Sequence, residues 1–145
     1  MQIRLKQIIE AIEMANDVCT YYFDAQTGEN VYLSEFFESG VANEALADLI
    51  ETNPSRFYRY PTKHEIHEHH IMELFVEALP ESPAKYELAS GIHKKGAFRN
   101  FKNGIRYHRL EQRWYDYRAE AFRNIALCWC QKNGFDVEEQ PQGDA

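Results

Sequence analysis

A chain of 145 residues with 44% apolar and 14% aromatic side chains can bury a core, which excludes the disordered class and suits one domain. No apolar run approaches the ~20 residues of a membrane span, and residues 1–6 lack the apolar stretch and cleavage site of a secretory leader. The net charge is −7, and three cysteines without framework spacing fit a reduced, cytosolic setting rather than a disulfide scaffold.

Residues 3–15 read as a helix, because Ile3, Leu5, Ile8, Ile9, Ile12 and Met14 recur mostly at three and four. Residues 18–24 and 30–33 read as a β-hairpin. Val18-Cys19-Thr20-Tyr21-Tyr22-Phe23 is rich in β-branched and aromatic side chains, and Asp24 and Gly28 supply the turn. Ser34 suits the N-cap of a short helix. A second helix is expected over 42–52, with Leu46, Leu49 and Ile50 inward and Asn53-Pro54 as its stop. Residues 57–60 before Pro61 predict a third strand that pairs with the hairpin. Thr62 caps a helix over 63–79, with Glu65 completing a capping box. Short helices follow over 83–91 and 96–105. A long one over 109–132 ends at Asn133-Gly134. The expected organisation is one domain, residues 1–137, and a polar, frayed tail, 138–145. The fold class is α+β: a small antiparallel sheet packed by about five helices, the long C-terminal one its main core element.

Charge is divided unevenly. Residues 1–90 hold 6 basic and 16 acidic side chains, residues 91–132 hold 10 and 3, and residues 133–145 hold none and 4. Such asymmetry either steers an acidic partner to the basic stretch or is neutralised within the fold.

Three sets of residues carry a resemblance: Tyr21-Tyr22-Phe23-Asp24 with Thr27-Gly28-Glu29, Gly96-Ala97-Phe98-Arg99 with Phe101-Lys102, and Trp114-Tyr115 with Tyr117-Arg118. With Arg56 to Pro61 and the pair Met72 and Phe75 between them, the chain resembles an uncharacterised protein family of small, mainly bacterial, cytosolic proteins. The likeness runs over roughly residues 18–135. Lys94-Lys95 and the histidine-rich helix start depart from that family's pattern. The resemblance implies a shared fold and carries no assigned activity.

The candidate site is the basic stretch: Lys94, Lys95, Arg99, Lys102, Arg106 and Arg109, with no acid among them. On a helix, Phe98, Phe101 and Ile105 share an apolar face, and the stem of Lys102 runs beside it. The cations could hold phosphates or carboxylates, with help from amides near Gly96, or could pair with the acidic N-terminal half. Arg118 lies at the edge of a predicted buried stripe, Leu110, Trp114, Tyr117, Ala121, Ile125 and Cys128. Asp24 or Glu73 would be suitable partners for it, and a ligand anion is the alternative.

His64, His67 and His70 are spaced by three and are candidate metal ligands. The metalloprotease pattern His-Glu-x-x-His is absent, so no metal site and no cofactor are assigned. Cys128 and Cys130 are two apart and would not face each other on a helix. Cys128 is expected buried and Trp129 packed.

The expected function is a non-enzymatic cytosolic module that docks an acidic protein or nucleic acid on residues 94–109. A cleft lined by Arg99, Lys102 and Arg118, with Asp24 or Glu73 as base, is the enzymatic alternative. An oligomer built through Tyr21, Tyr22 and Tyr32 of the hairpin is the structural one.

Overall fold

The computed structural model describes residues 1–34 and 40–138. These form two compact units: residues 1–66 with those from Arg123 onward, and His67–Phe122. In chain order the first unit holds β1 (Gln2–Arg4), α1 (Leu5–Glu13), β2 (Cys19–Asp24), β3 (Glu29–Ser34), α2 (Gly40–Thr52), β4 (Phe57–Arg59) and α3 (Lys63–Ile66). The second holds α4 (Glu68–Glu77), α5 (Pro83–Gly91) and α6 (Ala97–Tyr107). The long α7 (Glu111–Asn133) begins in the second unit and ends in the first, which β5 (Asp136–Glu138) completes.

The fold is α+β. β2 and β3 pair antiparallel, with Tyr21 opposite Tyr32, and β4 adds to the other edge of β2 with Tyr22 opposite Arg59. The sheet order is β3-β2-β4, so the third strand expected over 57–60 does pair with the hairpin, along β2. A second, two-stranded sheet is parallel and pairs Ile3 with Val137. The predicted first helix therefore begins two residues late, at Leu5, after an extended Arg4. Both strands of this sheet read polar-apolar-polar, a half-buried pattern that a three-residue strand barely displays.

The first unit's core is aromatic. Trp129 stacks on Tyr60 at 4.6 Å and on Phe135 at 5.4 Å, and Phe135 meets the edges of Phe23 and Tyr58. The indole N–H of Trp129 donates to the Arg59 carbonyl at 2.8 Å, so burying the ring leaves no polar atom unpaired. Phe135 reaches this cluster because α7 ends in a Schellman turn. Gly134 takes φ 74°, its N–H meets the Gln131 carbonyl, and the Phe135 N–H returns to that of Cys130 at 3.0 Å. Of the inward face expected for α2, Leu46 and Ile50 are half-buried and Leu49 is exposed. Residues after Ser34 in the expected short helix, and the expected tail from 139, lie outside the described residues.

The second unit is helical. Phe75, Phe101 and Trp114 form an edge-to-face cluster with centroids 4.7–6.0 Å apart. The expected helix over 63–79 is two helices. Thr62 and Glu65 form the predicted capping box, with Glu65 N–H donating to Thr62 Oγ1 at 3.1 Å and Thr62 N–H to Glu65 Oε1 at 2.9 Å. α3 nevertheless stops at Ile66, because His67 takes the left-handed conformation with φ 53° and α4 starts anew.

The stripe expected on α7 drifts. Trp114, Phe122, Ala126, Trp129 and Cys130 are buried, whereas Cys128 is exposed and Ile125 half-buried. The helix serves two cores in turn. Trp114 packs with Phe75 and Phe101, and fifteen residues on, Trp129 packs with Tyr60 and Phe135.

Candidate functional site

The basic stretch is set by how α5 and α6 meet. Ser82 caps α5 by accepting the Lys85 N–H at 3.2 Å, and Pro83 opens its first turn. α6 then crosses close to α5. At Gly104 a Cβ would stand 2.5 Å from Leu88 Cδ2, and at Gly91 one would stand 3.1 Å from Asn100 Cβ. Leu88, Ile92, Phe101 and Ile105 are all buried. With Phe101 and Ile105 turned inward, the opposite arc of α6 must face solvent.

That arc carries Arg99, Lys102 and Arg106, spaced by three and four and therefore in one stripe, and all three are exposed. Lys94 and Lys95 precede it in the α5–α6 turn. Asn100 holds this turn: its Nδ2 donates to the Gly91 carbonyl at 2.9 Å and the Lys95 carbonyl at 3.3 Å. Gly96 opens the helix at φ 78° and, as its N-cap, offers no side chain to the first amides of α6.

At the far end, Arg109 takes φ 57° in a second Schellman turn. Its N–H donates to the Arg106 carbonyl and that of Leu110 to the Ile105 carbonyl at 2.7 Å. This position usually belongs to glycine, and a residue that carries a Cβ there costs about 1 kcal/mol or more.

Lys94, Lys95, Arg99, Lys102, Arg106 and Arg109 are exposed, and none forms an ion pair among the described residues. Other cations do pair: Arg56 with Asp24, Arg59 with Glu65, Lys63 with Asp17 and Lys85 with Glu81. Direct pairing of Arg99 and Lys102 with acidic side chains, one of the two readings of the sequence, does not occur among those residues. Arg118 does pair, and with neither Asp24 nor Glu73: Nη2 donates to Glu68 Oε1 at 3.2 Å, while its guanidinium lies 4.1 Å over the Phe122 ring. Asp24 is taken by Arg56, and Glu73 lies 3.6 Å from both His69 Nδ1 and His70 Nδ1.

Aromatic rings flank the stripe. Phe98, expected in the core, is 48% exposed, and Tyr107 is 80% exposed. On α5, Tyr86 is 66% exposed and borders a hollow of about 430 Å³ shared with Ser90, Lys94 and Asn100. The Tyr86 hydroxyl donates to Glu81 at 2.7 Å, which fixes the ring. Glu87, on the hollow's rim, is held by His108 Nε2 at 2.6 Å. Sequence reasoning missed this hollow, whose only local signal was a glycine at each close approach of α5 and α6.

The histidine stripe requires one continuous helix, and the break at His67 removes it. His67 and His70 stack at 5.6 Å, and no group of three or more metal-ligating side chains with a metal-holding arrangement occurs among the described residues. The exposed Cys128 lines a separate hollow of about 480 Å³ with Arg59, Glu65 and Lys132. Cys130 is buried, and burial pushes its thiol up to about 11. No helix of the described residues is long and apolar enough to cross a membrane.

Fold and surface together define a small α+β protein with a cationic helix face that has no ion pair among the described residues. The chain belongs to the uncharacterised protein family UPF0158, whose model matches residues 1–142. It is similar to UPF0158 protein PA5073 of Pseudomonas aeruginosa, with 26% identity over 114 residues that cover 78% of this chain and 72% of that protein. No solved structure matches the chain.

Proposed function

We propose that this protein is a non-enzymatic cytosolic docking module whose basic face, residues 94–109, holds an acidic macromolecule. The observation that carries this reading is six exposed cations without an ion-pair partner among the described residues, in a chain of net charge −7. Arg56, Arg59, Lys63 and Lys85 pair, and Arg4, Lys6, Arg113 and Lys132 share the cluster's lack of an ion pair among the described residues. It is the concentration of six such cations within residues 94–109 that sets this face apart. Arg109 adds weight. It keeps a charged side chain where glycine would relieve backbone strain, and retained strain of this kind is concentrated at functional positions. The enzymatic alternative is weaker, because Arg118 is already engaged by Glu68 and Phe122.

The test is a tagged capture from native lysate, with and without nuclease. It is run in parallel with a variant carrying Lys94→Glu, Lys95→Glu, Arg106→Glu and Arg109→Glu. A partner retained by the parent and lost by the variant supports the docking face. Equal recovery by both rejects it.

A second reading rests on a different patch. Tyr32 is 56% exposed beside Tyr21 at 5.5 Å, and Met14, 59% exposed, borders the same hollow of about 460 Å³. This apolar surface suits self-association through the hairpin. Sedimentation of the parent against Tyr32→Lys tests it: a parent that is monomeric at all concentrations ends this reading.

A further inference from the structure

Resting on the docking reading, we infer that the macromolecule held by α6 is a single-stranded nucleic acid. Its phosphates run along Arg99, Lys102 and Arg106, and its bases stack on Phe98 and Tyr107.

The argument begins with what acidic partners need. A carboxylate surface or a duplex backbone is satisfied by cations alone. Neither gives an exposed aromatic ring a flat partner, because a duplex stacks its bases on each other. An unpaired strand offers both phosphates and free base faces, and proteins that hold one combine a cationic track with aromatic platforms.

α6 presents this combination. At 100° per residue, the arc of Lys102, Arg106 and Arg99 spans about 60°. Phe98 lies about 40° to one side of it and Tyr107 about 80° to the other. The two rings are therefore divided by the cations, one near each end of the helix. Nine residues separate them, which is about 13 Å along the axis and half a turn around it, a path of roughly 20 Å over a helix ~10–12 Å across. At a stacked spacing of ~3.4 Å this path accommodates about six nucleotides that wrap across the cations.

The hollow on α5 extends the track. Lys94 stands at its rim, Tyr86 supplies a fixed ring, and Ser90 and Asn100 line it. Its volume of about 430 Å³ has room for a base turned out of the strand. The surface is preorganised: Asn100 holds the lysine turn, and the Leu88–Gly104 contact fixes the rotation of α6. Phe98 stands at the edge of the inner face, where its ring meets His69 edge-on at 6.5 Å and stays 48% exposed, so its open side is what a base would cover.

The experiment is a fluorescence-anisotropy titration of the full chain with four labelled probes: a 12-nucleotide uridine RNA, a 12-nucleotide thymidine DNA, a 12-base-pair duplex and a polyglutamate peptide. Each is measured at several salt concentrations. We expect either single strand to bind at least ~10-fold tighter than duplex or polyglutamate. With about five phosphates neutralised, log K against log salt should fall with a slope of about −3.5. The double variant Phe98→Ala, Tyr107→Ala should lose ~10-fold or more for the single strands and nothing for polyglutamate. Both rings are exposed, so the variant keeps its core, and circular dichroism checks this.

Duplex or polyglutamate binding as tightly as the single strands overturns the inference and leaves the docking reading standing. An unchanged single-strand affinity in the ring variant also overturns it. No binding of any probe overturns it too, and the capture experiment with the charge-reversed variant then decides the docking reading by itself.

Discussion

Arg56 grips Asp24 with two parallel hydrogen bonds, Nε to Oδ1 and Nη2 to Oδ2, each 2.8 Å. Asp24 is the buried acid of the sheet, 3% exposed, and also accepts the Gln26 N–H at 2.9 Å. One carboxylate thus closes the hairpin turn and ties it to the segment before β4. The Ala25 N–H reinforces the tie by donating to the Arg56 carbonyl at 2.8 Å. The Arg56 guanidinium holds the Asp24 carboxyl well below the usual carboxylate range, at about 2, against the cost of burial.

That depressed value makes stability acid-sensitive. The contribution of Asp24 is fully present above pH ~4, where the unfolded chain is also ionised. It is lost as pH falls from there through about 2. The loss expected is about 2 kcal/mol. Urea midpoints at pH 6, 4, 3 and 2 measure it. Asp24→Asn should flatten this part of the profile, and Arg56→Ala should cost about 2–3 kcal/mol at pH 7 by leaving a buried carboxylate unpaired.

Arg109→Gly should stabilise the protein by about 1 kcal/mol, since glycine adopts φ 57° without strain. The same substitution should weaken docking by removing one cation. Thermal unfolding together with the capture experiment reads both, and a variant that loses stability would contradict the strain assigned to this turn.

Gly104→Ala tests the fit of α5 against α6. Helix propensity alone predicts a gain of about 1 kcal/mol. The new Cβ would instead meet Leu88 Cδ2 at 2.5 Å, so a net loss of about 1–3 kcal/mol is expected. Combining it with Leu88→Ala should cost less than the sum of the two single changes. Strict additivity in denaturant midpoints would show that the helices do not meet there.

Thiol labelling separates Cys128 from Cys130. Cys128 is exposed and should react with a maleimide in the native protein, whereas Cys130, buried with its thiol pushed up to about 11, should react only on unfolding. Mass spectrometry of the labelled peptides, using the single variants Cys128→Ser and Cys130→Ser, assigns each site.

Local signals were legible. The Thr62–Glu65 capping box, the Gly134 stop, the hairpin turn and the strand before Pro61 each depend on residues within a few positions of one another, and each is found as expected. What failed depended on distance. β1 and β5 make a strand only through a partner some 130 residues away, so Ile3 and Arg4 read as part of the helix pattern that follows them. His67 gave no sign of the left-handed break, since histidine is an ordinary helix residue. Without that break, the position of Glu68 as partner of Arg118 was out of reach. The α7 stripe failed at Cys128 because the helix changes cores along its length, which a single periodic face does not capture. In the candidate site the cations and Tyr107 among them are legible in the sequence, whereas Phe98 reads as core beside Phe101 and is 48% exposed.

The pairing of β1 with β5 has a consequence for synthesis. Ile3 waits for Val137, and until the ribosome has made that residue the two-stranded sheet has no second strand. At ~5–20 residues per second, the wait is on the order of ten seconds. The His67–Phe122 segment is contiguous and complete earlier. The nascent chain should therefore display its cationic helix before its first strand has found a home, and pulse-labelled ribosome-bound chains would show protease protection there first.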